Sequence, residues 1–163
     1  MSLVAVVALA PFWLSGIEKN LTGSWVGSLE YRDYSDNSRV KLGTLFRCSP
    51  APSGFTFRYV YDDGPNKVVQ DKETIIFDEA AAKWSVSSED GKDRSDYAIS
   101  KESKLSSDGS GNLVLYGVGT ENGSKVDIRE TLSIRHDRLI MLRESKLPGQ
   151  QFQFRHNYSF RRP

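Results

Sequence analysis

The sequence predicts an all-β fold: a closed antiparallel up-and-down barrel of about 8–10 strands with a short N-terminal leader or plug. Three observations predict it. First, the tail at residues 151–161 alternates, with Phe152, Phe154, His156, Tyr158 and Phe160 on one face and Gln151, Gln153, Arg155, Asn157, Ser159 and Arg161 on the other. That is the pattern of a strand dry on one side and wet on the other. Second, turn signals recur from Leu21 onward at short intervals, so neighbours in sequence pair antiparallel. Third, only 38% of residues are hydrophobic while 11% are aromatic. Few but bulky apolar side chains suit strands that send every second residue inward. Closing the sheet on itself leaves no strand edge exposed.

With 163 residues the chain forms one domain, divided into an apolar leader at 1–20 and a lipocalin-like barrel domain at 21–163. Residues 2–10 are apolar and end in Ala8-Leu9-Ala10, the small-x-small pattern of a signal-peptidase site. This run reads as the remnant of a secretion signal and predicts an extracytoplasmic protein, periplasmic or secreted. It is too short to span a bilayer, so no stable membrane insertion is expected. Residues 14–21 could add a short lid or plug. Strands are expected at 23–32, 40–48, 54–62, 67–78, 83–87, 94–101, 112–119, 125–135, 138–144 and 151–161. The segments between them are rich in Gly, Asn, Asp and Pro, as in Asp62-Asp63-Gly64-Pro65-Asn66 and Glu121-Asn122-Gly123-Ser124.

Alternation assigns the inward faces. The first strand turns in Trp25, Gly27, Leu29 and Tyr31; the second, Val40, Leu42, Thr44, Phe46 and Cys48; the third, Phe55, Phe57, Tyr59 and Tyr61. The strand at 125–135 turns in Val126, Ile128, Glu130, Leu132 and Ile134. The strands at 112–119 and 138–144 are apolar on both sides, and their faces stay open. A barrel of this size can enclose more space than its side chains fill, and then it holds a small ligand.

Several functional classes are disfavoured. A net charge of +1 lacks the basic footprint of a nucleic-acid binder. Cys48 is the only cysteine, which rules out an internal disulfide framework. Two histidines, one of them in the His136-Asp137 turn, do not make a zinc site. No nucleophile elbow, paired-carboxylate motif or phosphate loop supports an enzyme. No cofactor or metal is expected from the residues alone, and the oligomeric state stays open.

The segment Gly23-Ser24-Trp25, opening a series of about ten antiparallel strands, resembles the calycins, the group of lipocalins and fatty-acid-binding proteins. The resemblance implies that Trp25 closes the barrel floor beneath an arginine from the end of the chain, either Arg155 or Arg161. The longer stretch Leu21-Thr22-Gly23-Ser24-Trp25-Val26-Gly27 also resembles nitrobindin-like haem barrels. That likeness implies a haem-ligating histidine on the last strands, where His156 sits. The lipocalin Thr-Asp-Tyr motif is not evident, and no long helix follows the barrel.

The ligand-contact candidates are Tyr31, Phe55, Phe57, Tyr59, Tyr61, Glu130, His156 and Tyr158. The bland reading of the aromatics is core filling, and that of His156 is a core histidine satisfied by a carbonyl or a Tyr hydroxyl. Glu130 stands between Ile128 and Leu132, where an unpaired carboxylate costs several kcal/mol or takes up a proton. It reads as a rim ion pair, a ligand-orienting group, or half of a Glu130–His156 acid/base couple. No inward Arg or Lys is evident, so a neutral amphiphile is expected ahead of a fatty acid. The expected function is a secreted barrel holding an apolar or amphiphilic small molecule. The alternatives are a haem barrel with His156 as axial ligand, a barrel enzyme using Glu130 and His156, or a structural envelope protein with a filled core.

Overall fold

A computed structural model describes residues 13–163. The helix α1 (Trp13–Leu21) leads into eleven strands: β1 (Gly23–Arg32), β2 (Arg39–Ala51), β3 (Gly54–Asp62), β4 (Val68–Asp78), β5 (Lys83–Ser88), β6 (Arg94–Ile99), β7 (Lys104–Leu105), β8 (Gly111–Glu121), β9 (Ser124–Ile134), β10 (Arg138–Lys146) and β11 (Gln153–Arg161). Ten of these close into an antiparallel barrel, and the two-residue β7 is an extra strand paired to the start of β8. Sequence neighbours pair throughout β1–β6 and β8–β11. Closure needs two further seams. β1 zips to β11 through Gly27↔Phe160, Leu29↔Tyr158 and Tyr31↔His156. β6 meets β8 only at Ala98↔Tyr116 and Ile99↔Leu115.

Both seams need a missing Cβ. On Gly27 a Cβ would stand 1.9 Å from the Ser159 carbonyl oxygen, so only glycine lets β1 and β11 approach so closely. On Gly117 it would meet the Tyr97 ring at 2.6 Å, and its absence lets that ring lie across the β6–β8 junction.

The inward faces of β1, β2, β3 and β9 follow the alternation. Trp25, Phe46, Cys48, Phe55, Phe57, Tyr59, Ile128 and Ile134 are all buried. The inward Thr44 hydroxyl donates to the Leu42 carbonyl and accepts from the Leu29 N–H, which meets its hydrogen-bonding need locally. The lower half of the barrel is solid with rings. Phe46 stacks on Tyr59 and Phe160 and meets Phe57 edge-on, while Trp84 gathers Phe55, Phe57 and Phe77. α1 plugs this end with Ile17 and Leu21, both fully buried. The leader at residues 2–10 lies outside the described residues. Among the described residues no helix is long and apolar enough to cross a membrane.

β11 departs from the expected alternation. Its pairing with β10 runs from Arg143↔His156 to Glu144↔Phe154, leaving Arg155 as an extra residue in a bulge. A bulge shifts the register by one and so reverses the faces beyond it. Tyr158 and Phe160 therefore turn inward with His156, but Phe154 turns outward beneath the Arg39 guanidinium. Phe152, before the strand begins, lies against Arg129 and Lys146.

The wall is also uneven in height. β4 and β8 each run 11 residues, whereas β5 and β6 between them run 6 each. β5 pairs with β4 only from Glu73 onward, so residues 68–72 have no partner on that side. Residues 117–121 of β8 likewise have no partner in β6. The short β5–β6 hairpin thus leaves a notch in the rim opposite α1.

Candidate functional site

The closed end is built on Trp25. Its indole N–H donates to the Leu21 carbonyl at 2.9 Å, tying β1 to the last turn of α1. A guanidinium lies 3.8 Å above its ring, and it belongs to Arg162. The same group donates to the carbonyls of Asn20 at 2.7 Å and Thr22 at 2.8 Å. Neither Arg155 nor Arg161 fills this position. Arg161 pairs with Val26 and Arg138 on the outer face and is exposed. Arg155, in the bulge, reaches Glu121 and Ser145 near the other end of the barrel. Continuing by twos from Phe160 leads to Arg162, which shares the inward side.

Above the packed rings lies a cavity of about 400 Å³. Its apolar floor includes Phe57, Ile75, Trp84, Leu132 and Met141, and its polar wall carries Asp71, Glu73, Glu130, Arg143 and His156. It reaches the rim notch through Ser88, Asp93 and Ser95. Of the candidates named from sequence, Phe57, Tyr59, Glu130, His156 and Tyr158 line this space. Phe55 lies beneath the floor against Trp84, 1% exposed. Tyr61 stands behind Tyr59, its hydroxyl 2.8 Å from that of Tyr158. Tyr31 faces inward opposite His156 but does not line the cavity.

Sequence reasoning missed the charged partners. Arg143 points inward, which corrects the expectation that no inward Arg was present. β10 is apolar on both faces, with Leu139 and Met141 on one and Ile140 and Leu142 on the other, so alternation carried no signal there. Asp71 and Glu73 share the inward face of β4 with Ile75 and Phe77, as their pairing to Tyr59 and Phe57 requires.

Arg143 decides the electrostatics. It donates to Glu130 at 3.0 Å and to the Tyr97 hydroxyl at 3.3 Å. Glu130 is therefore partnered by Arg143, and the Glu130–His156 couple does not form. Burial raises the Glu130 carboxyl above its ordinary range, and Arg143 opposes the rise. Glu73 is pushed up to about 7, first by burial, then by Asp71 and Glu130. His156 and Tyr158 meet at 70° with ring centroids 5.4 Å apart, and neither imidazole nitrogen has a hydrogen-bond partner among the described residues. Burial, with Arg143 nearby, lowers it to about 4, so the imidazole stays neutral at physiological pH.

These two groups push stability in opposite directions. Below pH 6.5 the unfolded chain protonates His156 while the folded one does not, until about pH 4, so this group destabilises on acidification. Between 4.5 and about 7 the folded chain holds a proton on Glu73 that the unfolded one has released, so this group destabilises as pH rises. In urea titrations across pH 4–7, Glu73→Gln should become about 2–3 kcal/mol more acid-sensitive than wild type. His156→Gln should gain stability toward acid relative to wild type. Slopes of the reverse sign would show that the fold holds both groups in their charged forms, His156 protonated and Glu73 ionised.

Among the described residues no group of three or more His, Cys, Asp or Glu could hold a metal ion. Haem, implied by the nitrobindin resemblance, is met in one respect by the open imidazole of His156. It is not met in the other: its anionic propionates would find four carboxylates and one guanidinium already bound to Glu130. The donor set does not fit the group as a whole. The fold is compatible with a calycin-like barrel, and the chain matches no protein-family model and no curated protein sequence.

Proposed function

We propose that this protein is a calycin-like carrier that encloses one amphiphilic small molecule and acts outside the cytoplasm. The observation that carries this reading is the cavity itself, with apolar rings below and charged and polar groups above. A ligand body resting on Phe57, Ile75, Trp84 and Leu132 gains about 25 cal/mol for each Å² of apolar surface removed from water. Its head group then lies against the polar wall, where a few convergent groups fix orientation. Entry is through the notch over the β5–β6 hairpin.

The test uses the uncharged dye N-phenyl-1-naphthylamine. Binding should raise dye fluorescence and quench Trp84, which lines the cavity. Val86→Trp fills the space from the notch side and should abolish the signal while leaving circular dichroism unchanged. No enhancement with wild type, or an enhancement indifferent to Val86→Trp, would overturn the reading in favour of a structural protein. A Soret band on adding hemin, lost in His156→Ala, would overturn it in favour of haem.

A further inference from the structure

The cavity is electrically one-sided. Asp71, Glu73, Asp93 and Glu130 line it against a single guanidinium, Arg143, and that guanidinium is bound to Glu130 at 3.0 Å. Asp71, Glu73 and Asp93 have no ion-pair partner among the described residues. The neighbouring lysines turn elsewhere, Lys72 to Glu89 and Lys92 to Asp90. Asp71 and Asp93 are exposed at the rim, whereas Glu73 is largely buried. A buried carboxylate without a counter-charge is costly, and it either keeps a proton or awaits a cation.

Three further features point to the same guest. The His156 imidazole is largely buried, lines the same space and makes no hydrogen bond among the described residues. As a neutral ring it offers one acceptor and one donor without adding positive charge. Tyr59 and Tyr158 also line the cavity, and a phenol oxygen can accept a hydrogen bond from an N–H donor. Asp71 on β4 and Asp93 in the β5–β6 loop also flank the notch, where one sign of charge raises the local concentration of an oppositely charged solute.

Resting on the ligand-binding reading above, we propose that the head group of the ligand is an organic ammonium, held by Asp71 and Glu73 with His156 as a neutral hydrogen-bonding partner. The rest of the molecule is apolar and lies on the Phe57–Trp84 floor. Arg143 does not recruit an anion in this scheme, because Glu130 already neutralises it.

The test compares three probes with the same alkyl chain and different heads: decylammonium, decanol and decanoate. Each is titrated below its micelle concentration into the full-length protein and followed by Trp fluorescence and calorimetry. Decylammonium should bind about tenfold or more tightly than decanol, with decanoate the weakest. Asp71→Asn and Glu73→Gln should each weaken decylammonium about fivefold while leaving decanol within about twofold. Decanol or decanoate binding as tightly as decylammonium would overturn the ammonium assignment and leave the cavity reading standing. An ammonium preference untouched by either variant would overturn the assignment to these carboxylates. Failure of all three probes, together with no dye enhancement, would overturn both.

Discussion

Trp25→Ala is expected to cost about 3–5 kcal/mol, the range for emptying a buried aromatic site. In a domain of this size that should lower Tm by about 10 °C or more. Trp25 is 1% exposed and joins three parts of the chain. Its indole holds α1 through the Leu21 carbonyl, its ring supports Arg162, and Arg162 in turn binds the carbonyls of Asn20 and Thr22. Truncation therefore opens a hole and also loosens the plug. The arginine variants separate these contributions. Arg162→Ala should cost about 1–3 kcal/mol through carbonyls left without their charged donor. Arg161→Ala, on the exposed outer face, should stay within about 0.5 kcal/mol. Urea midpoints for the three variants check the order. Arg161→Ala equal to or worse than Arg162→Ala would mean that the barrel floor is not closed as described.

Breaking the Glu130–Arg143 pair is expected to cost about 2–4 kcal/mol from either side. The usual loss for a buried pair is about 3–5 kcal/mol, because the surviving charge has no partner. Here the side chains keep 21% and 28% of their surface accessible, so solvent in the cavity softens the penalty. The double variant Glu130→Leu, Arg143→Leu removes both charges together and should recover most of the loss. A double-mutant cycle by urea denaturation reads the coupling directly. Coupling near zero would mean that the two groups are screened from each other, and Arg143 would then be free to receive an anionic ligand. This second experiment thus also bears on head-group chemistry: the ammonium reading needs Arg143 to be neutralised.

The sequence pattern was most legible where each strand had one wet and one dry side. β1, β3 and β9 are of this kind, and Trp25, Phe57, Tyr59 and Glu130 face inward as alternation requires. It was least legible in β10, where apolar residues occupy both faces and Arg143 could not be placed. In β4, Asp71 and Glu73 sit on the inward side, but the strand opens with a valine on each side, Val69 and Val68, and residues 70–73 are polar on both. Ile75 and Phe77 mark the inner face near its end while Ile76 lies on the other, so the carboxylates escaped notice. His156 faces inward as its alternation with Tyr158 and Phe160 indicated, but its lack of a hydrogen-bond partner could not be known before its neighbours were in place.

The sequence by itself determined that the chain is a string of long antiparallel strands, which side of the clearest ones is dry, and where the series opens with Trp25. These are local properties, written in the two-residue period of the extended backbone and in turn residues that tolerate tight bends. Only the tertiary structure decided that Arg155 bulges, that Arg162 rather than Arg161 covers Trp25, that Arg143 binds Glu130, and that the rim is notched over β5 and β6. Each of these depends on how one strand is registered against another and on how far its neighbour extends. That relation is set by packing across the closed sheet and leaves no trace in the alternation of any single strand.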